Sequence, residues 1–494
     1  MKKISTLFTH LTLGLLLIAG TAFAQMYTIT DLGTLGGTIS VAYGINASGQ
    51  VVGWSYTGAI DPLAGNISHA FRTAPNKPIN PTTDDLGTLG GYYSWAYGIN
   101  DSGQVVGGSY LNTPLCCTEH AFRTKTNSAL NPATDDLGTL GGFNSVAYGI
   151  NNSGQVVGGS DDGIHTCPSA HGAFPAALAF RTQPNSAINP VTDSLGLLNG
   201  CWSTALGINS SGQAVGEAQT PNGLHAFRTA AEQPIDASTG DLGSLDGGTF
   251  TIANAINDFS QVVGYSWTGD NTYHSFRTAS NSSINPLTDD LGPVAEAIWP
   301  AQPSPATAIN NYGQVVGGAP AFVGGPGAIS YLNKMIPADA GWKLIMAYGI
   351  NDAGQIVGMG ARGEAPGYGI GRAYLLTPIY RAFVQPPISG DGSSVFAAKR
   401  GTIPIKFRLT EYGVSTCTLL PATIAISRAV PGGLAAVSDA VYAKSSNTDS
   451  NFKMDPGACQ YVYNVSSSAL GPGTYRVDIS VEGIMIGHAV FALV

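Results

Sequence analysis

The chain has 494 residues, of which 11% are charged, against about 25% in an ordinary soluble protein. Its 31 acidic and 22 basic residues give a formal net charge of −9, which argues against nucleic acid as a partner, because that binding rests on clustered Lys and Arg. A hydrophobic content of 44% excludes general disorder, and 65 glycines among many Val, Ile, Thr and Tyr favour short strands joined by turns.

Residues 1–24 read as a secretory signal. Lys2 and Lys3 give a positive start, residues 11–19 an apolar run, and Ala22-Phe23-Ala24 a small-x-small cleavage site. The run is short for an anchor, which needs about 20 residues. The mature chain is expected to begin near Gln25, to be secreted and to carry no transmembrane segment. Six cysteines, at 116, 117, 167, 201, 417 and 459, suit an oxidising compartment.

The next 350 or so residues repeat. An Ile-Asn pair, a turn and a Gln-Val-Val-Gly-like run recur seven times, with the Asn at 46, 100, 151, 209, 257, 310 and 351. In the first copy Ala42-Tyr43-Gly44-Ile45 reads as a strand and Asn46-Ala47-Ser48-Gly49 as a tight turn. Gln50 to Trp54, His69 to Thr73 and Asp85 to Leu89 supply three more strands. Four short strands at this period fit a β-propeller blade. The mature chain opens with a lone fourth-type strand at 27–35, and the seventh copy lacks one after Leu376. The opening strand is therefore expected to complete the last blade and close a seven-bladed ring.

The long pattern Asp-Leu-Gly-Thr-Leu-Gly-Gly, Ala-Tyr-Gly-Ile-Asn-x-Ser-Gly-Gln-Val-Val-Gly, His-Ala-Phe-Arg is nearly complete at 31–72, 85–123 and 136–181. It resembles the HAF repeats of bacterial extracellular proteins. In the third copy Leu178 replaces the His, and the sixth and seventh copies have Ile329 and Arg372 there. The resemblance implies an extracellular repeat protein and supplies no catalytic residues.

The repeat stops near Pro378, and 380–394 reads as a linker. Strand-like runs follow at 402–409, 422–427, 461–465, 474–481 and 485–493, suggesting a small Ig-like β-sandwich over 395–494. Ile403-Pro404-Ile405-Lys406-Phe407 resembles the Pro-x-Lys-Phe accessory domains of secreted bacterial proteins. Cys417 and Cys459, the two cysteines of this part, are expected to pair. The expectation is thus an all-β protein: signal peptide 1–24, seven-bladed β-propeller 25–379, linker 380–394 and sandwich 395–494.

Function is expected on the variable second-to-third-strand loops, at 55–68, 109–119 and 160–178, and on the connections between copies. Cys116, Cys117, Cys167 and Cys201 fall there. Adjacent Cys116 and Cys117 are poor partners for each other, which leaves 116–167 with 117–201, or 116–201 with 117–167. A metal site with His165 and His171 is the weaker reading, because no zinc-type Cys-x-x-Cys is present. Tyr92, Tyr93, Trp95, Phe143, Trp202, Phe250 and Trp267 are candidate ligand-binding residues, with Trp54, Tyr56, Tyr110, Tyr273 and Trp299 nearby in sequence; exposed rings stack on sugars. Blade packing is the plainer role for any one of them. The recurrent Asn is explained by turn capping. The recurrent His at 69, 120, 225 and 274 is explained by a hydrogen bond to the neighbouring Asp strand.

Loop carboxylates are few: Asp161, Asp162, Glu119, Asp270 and Glu364. No Gly-x-Ser-x-Gly, His-Glu-x-x-His or phosphate loop occurs, and no cofactor or metal is implied. The favoured reading is a monomeric, non-enzymatic secreted protein whose loop face binds an extracellular polysaccharide, matrix polymer or surface protein. The alternatives are a polysaccharide hydrolase or lyase, which needs two carboxylates about 5–10 Å apart, and a structural envelope component.

Overall fold

A computed structural model of the protein describes residues 26–494 apart from 63, 113–117, 170–171, 270–271, 294–304, 326–327, 364–370, 390–392, 399–400, 413, 418–419, 431–432, 438–440, 443–449 and 482–483. The expected signal peptide, Cys116, Cys117, His171, Asp270, Trp299 and Glu364 lie outside the described residues.

The described chain is all-β, built from many small sheets. The first repeat contributes Ser40–Ile45, Val51–Asp61, Gly65–Arg72 and Asp85–Gly87, each antiparallel to the one before. Gly90–Ile99, Val105–Leu111, Glu119–Arg123 and Asp136–Gly138 repeat the order, as do Ser145–Ile150, Val156–Ser169, Gly172–Arg181 and Ser194–Gly196. The fourth repeat has Ser203–Ile208, Ala214–Thr220 and Gly223–Arg228. The fifth has Thr251–Ile256, Val262–Trp267 and Tyr273–Arg277. In both, the fourth position is held by a single bridge, Phe227 to Asp241 and Phe276 to Asp290.

The sixth repeat, Ala306–Ile309, Val315–Gly317, Phe322–Gly325 and Ala328–Tyr331, corrects the sequence alignment. Ile329 is in the fourth strand and not in the His position of the third. The buried Phe322 holds the third-strand slot that Phe71, Phe122, Phe180, Phe227 and Phe276 hold elsewhere. The seventh repeat has Trp342–Ile350, Ile356–Arg362 and Arg372–Pro378, and its fourth strand is Tyr27–Gly33 from the start of the chain. Tyr27 lies opposite Pro378 and Asp31 opposite Tyr374.

Successive strand residues face opposite ways. Val51 is therefore buried with Leu32, Leu35 and Val357, while Val52 is buried with Leu86 of its own repeat and with Ala96 and Phe122 of the next. Both faces of each sheet are interior, so the second strand reads as an unbroken apolar run. The Gly after each Val pair is forced by crowding: a Cβ on Gly158 would lie 1.9 Å from the Val146 carbonyl oxygen and against the Phe180 ring.

Residues after 379 form two five-stranded sheets. One holds Tyr380–Gln385, Thr402–Glu411, Val414–Thr416, Lys453–Asp455 and Gln460–Ser466. The other holds Ser394–Phe396, Ala422–Val430, Gly433–Ala436, Gly473–Val481 and Ile484–Leu493. Ile405, Phe407, Tyr463, Val477, Ile479 and Phe491 belong to their shared core. Phe407 stacks on Tyr461 with centroids 4.4 Å apart. The linker expectation fails at its start: Tyr380–Gln385 is a strand, with Tyr380 opposite Glu411. Its run Tyr-Arg-Ala-Phe-Val is good strand sequence, masked by the Pro386-Pro387 that follows. Cys417 and Cys459 are disulfide-bonded, Cα atoms 5.0 Å apart.

Candidate functional site

Antiparallel order places the turns that begin at the recurrent Asn, and end in Gly or, in the fifth repeat, Ser260, at one end of the seven repeats and the second-to-third-strand loops at the other. At the turn end, Asn46 Oδ1 accepts from the amides of Ser48 and Gln50 and from Ser48 Oγ. This is the expected cap, and Gly49 closes the turn at φ +83°. The structure adds a second use. Asn46 Nδ2 donates to the Asn100 carbonyl, Asn100 to Asn151, Asn151 to Asn209, Asn209 to Asn257, Asn257 to Asn310, Asn310 to Asn351, and Asn351 back to Asn46, at 3.0–3.2 Å. Sequence reasoning missed this lateral bond, as it missed Arg72, whose Nη1 reaches the carbonyls of Gly103 and Ser128 in the next repeat.

The recurrent His makes the expected bond. His69, His120, His225 and His274 each place Nδ1 2.9 Å from Asp85, Asp136, Asp241 and Asp290. Burial pushes the Asp85 carboxyl up, but hydrogen bonds from His69 and the Gly87 amide outweigh it and leave it below its ordinary range.

The candidate aromatics divide into groups within single repeats. In the second, Tyr93 stacks on Trp95 at 5.9 Å, and Tyr110 meets both edge-on at 5.5 Å. Tyr92 is exposed beside Tyr93. In the fifth, Trp267 packs on Tyr273 at 4.5 Å, and Phe250 contacts Tyr265 and Tyr273. Trp54 and Tyr56 pair in the first. Phe143 is exposed and Trp202 half-buried. All are at the loop end.

Cys167 pairs with Cys201, Cα atoms 5.4 Å apart, which corrects both expected pairings. The second strand of the third repeat runs 14 residues, the longest of the seven, and carries Cys167 over the connection into the fourth. The loop carboxylates Asp161 and Asp162 are consumed locally. Asp161 Oδ1 accepts from the Asn144 amide. Asp162 accepts from the Ile164 and His165 amides and meets His165 Nδ1, and these bonds overcome desolvation to hold its carboxyl low. Among the described residues no three His, Cys, Asp or Glu side chains gather as metal ligands.

Glu119 and Glu217 behave differently. Burial pushes each carboxyl up to about 7. Neither has a hydrogen-bonding or ion-pair partner for its carboxyl among the described residues. Both charges reach Tyr148: burial first, then Glu119 and Glu217, push its phenol up to about 12. A cavity of ≈ 340 Å³ opens beside Tyr148, lined also by Asn144, Val146, Gly159, Ser160, Asp161, Ala177 and Thr204. Glu119 was legible as a loop carboxylate. Glu217 was not, because it stands where other repeats carry Trp54 or Tyr265.

The C-terminal sheets pack at the opposite end. Arg476 Nη1 donates to the Asn311 carbonyl at 2.9 Å, and the His488 ring lies 4.2 Å from that of Tyr312. Burial there, with the Arg476 charge, lowers His488 to about 4.

Residues 38–175, under half of the chain, match a family described as a protein of unknown function (DUF3466). No curated protein matches the chain. Among solved structures, an unknown-function protein from Dyadobacter fermentans DSM 18053 is 9% identical, covering 72% of this chain and 98% of that one at a TM-score of 0.36. The N-terminal domain of the Streptococcus gordonii adhesin Sgo0707 is 9% identical, covering 94% and 95%, at a TM-score of 0.17. Neither likeness carries an argument about this chain.

Proposed function

We propose that the protein is an exported HAF-repeat protein whose seven repeats form a β-propeller, followed by an Ig-like sandwich, and that it binds an extracellular glycan without transforming it. The asparagine cycle and the shared seventh sheet support the closed ring. Two disulfides and the absence, among the described residues, of a helix able to cross a membrane accord with export. The observation that carries the glycan reading is the Tyr92, Tyr93, Trp95 and Tyr110 group. It sits at the end of the repeats that the C-terminal sheets leave uncovered, and stacked rings with an exposed member suit sugar faces.

The test is binding of residues 25–494 to a broad glycan array. Selective binding that is lost in the double variant Tyr92→Ala, Trp95→Ala supports the reading. An array with no binding overturns it and favours a structural role. The unpaired carboxyls of Glu119 and Glu217 favour polysaccharide hydrolysis as the second reading, since a carboxyl protonated near neutrality suits a general acid. Release of new reducing ends that stops in Glu217→Gln would establish that reading instead.

A further inference from the structure

We infer that the cavity over the third repeat is a subsite for one hydroxyl-rich sugar ring, with Tyr148 as its wall, Asn144, Asp161 and Thr204 as its polar lining, and the carboxyls of Glu119 and Glu217 within reach behind Asn144 and Thr204. This rests on the glycan reading above and gives it a place. The space has a specific origin. Gly159 occupies the position held by Trp54, Glu217, Tyr265 and Met359 in the first, fourth, fifth and seventh repeats; the second and sixth also carry Gly there, but Glu119 crowds Gly108 and Met346 crowds Gly318, whereas Gly159 has only Thr204 beside it. With no side chain there, the cavity of ≈ 340 Å³ lies open between the third and fourth repeats.

Two carboxyls stand just behind this lining, each next to a residue that forms it. Glu119 reaches inward across Gly108, where an added Cβ would lie 2.1 Å from its Oε1. Its amide is held by Asn144 Oδ1 at 3.1 Å. Glu217 pairs across the ladder with Thr204, which lines the cavity. The aspartates of the neighbouring repeats all have work: Asp85 and Asp136 hold His, and Asp84 and Asp135 accept from the Asn80 and Asn131 amides. The two glutamates hold nothing. A half-buried carboxyl without a partner is costly, and the cost is relieved when hydroxyl groups enter and donate to it. Asn144 Nδ2 faces no partner among the described residues and adds a donor, while Tyr148 and Val146 offer apolar surface to a ring face. Acceptors, a donor and an aromatic wall around a ring-sized space are the elements of saccharide recognition. A cation would need its anionic ligands gathered round one point, and among the described residues no three His, Cys, Asp or Glu side chains gather in that way.

The test uses residues 25–494 with four neutral tetrasaccharides as probes, of gluco-, xylo-, manno- and galacto-configuration, read by calorimetry and saturation-transfer NMR. At least one should bind. Gly159→Leu, which fills the space, should weaken it at least tenfold, and Glu217→Gln or Tyr148→Ala at least threefold. Should Gly159→Leu not fold, the latter two variants decide. Tetrasaccharide binding that is unchanged in all folded variants but lost in Tyr92→Ala, Trp95→Ala overturns the subsite and leaves the glycan reading standing. Failure of all four probes also overturns the subsite, and failure on the broad array overturns both.

Discussion

Asn351 Nδ2 donates to the Asn46 carbonyl at 3.0 Å across 305 residues of sequence. The bond closes a cycle in which each asparagine fastens its own turn and the next repeat, so a single truncation strips a buried turn of several partners at once. Asn151→Ala is expected to cost about 2–4 kcal/mol, from more than one buried group left unsatisfied. Chemical denaturation of the mature chain would measure it. Asn151→Asp, which sets a buried carboxylate oxygen against the Gln155 side-chain carbonyl and the Asn209 carbonyl, should cost at least as much at neutral pH.

Removing Tyr27–Gly33 deletes the fourth strand of the seventh sheet. The exposed edge at Arg372–Pro378 should then bind a synthetic peptide of residues 26–35, and the peptide should restore part of the lost thermal stability. Equal stability with and without these residues would show that the pairing contributes nothing.

Non-reducing peptide mapping should return Cys167 joined to Cys201 and Cys417 joined to Cys459. Each bond closes a loop of 34 or 42 residues, and its removal by Cys→Ser pairs should cost about 3–4 kcal/mol in a loop-entropy account.

The two unpaired glutamates set a pH dependence. Burial raises each from an ordinary 4.5 to about 7. Between those values the folded state holds more protons than the unfolded one, so their contribution to stability falls as pH rises and is lowest above 7. Glu217→Gln removes one such group. It should gain about 1–3 kcal/mol relative to the parent at pH 8, and little at pH 4. Identical profiles for the two proteins would refute the assignment. The Asp85 and Asp136 pairs act in the opposite sense: their lowered carboxyls stabilise above the ordinary carboxylate range, and that support is lost as pH falls through their folded values.

Much of the repeat architecture could be read in advance, because it is local. A strand buried on both faces writes an unbroken Val-Val, a capped turn writes Asn-x-Ser-Gly, and a His opposite an Asp strand writes its own partner. The pairing of Tyr27–Gly33 with Arg372–Pro378 was legible because one strand was spare at one end and one was missing at the other. What escaped is what depends on the next repeat. Asn46 gives no sign in its own segment that its amide reaches Asn100, nor Arg72 that it reaches Ser128. The Cys167 pairing depended on how far one long hairpin extends, and the cavity at Tyr148 on a side chain that is missing. Absences such as Gly159 become visible only when the surrounding walls are placed.

The first strand and its partner also fix an order of events. Thr28 donates to the Thr377 carbonyl from 349 residues away. As the polypeptide emerges, its leading segment must stay uncommitted while every later repeat is made. A chain cut short before residue 372 leaves a bare strand edge at each end, the kind of surface that recruits other chains. Completion of the seventh repeat is thus a quality-control step written into connectivity: only a chain made past Pro378 can hide both edges, and every shorter one advertises itself.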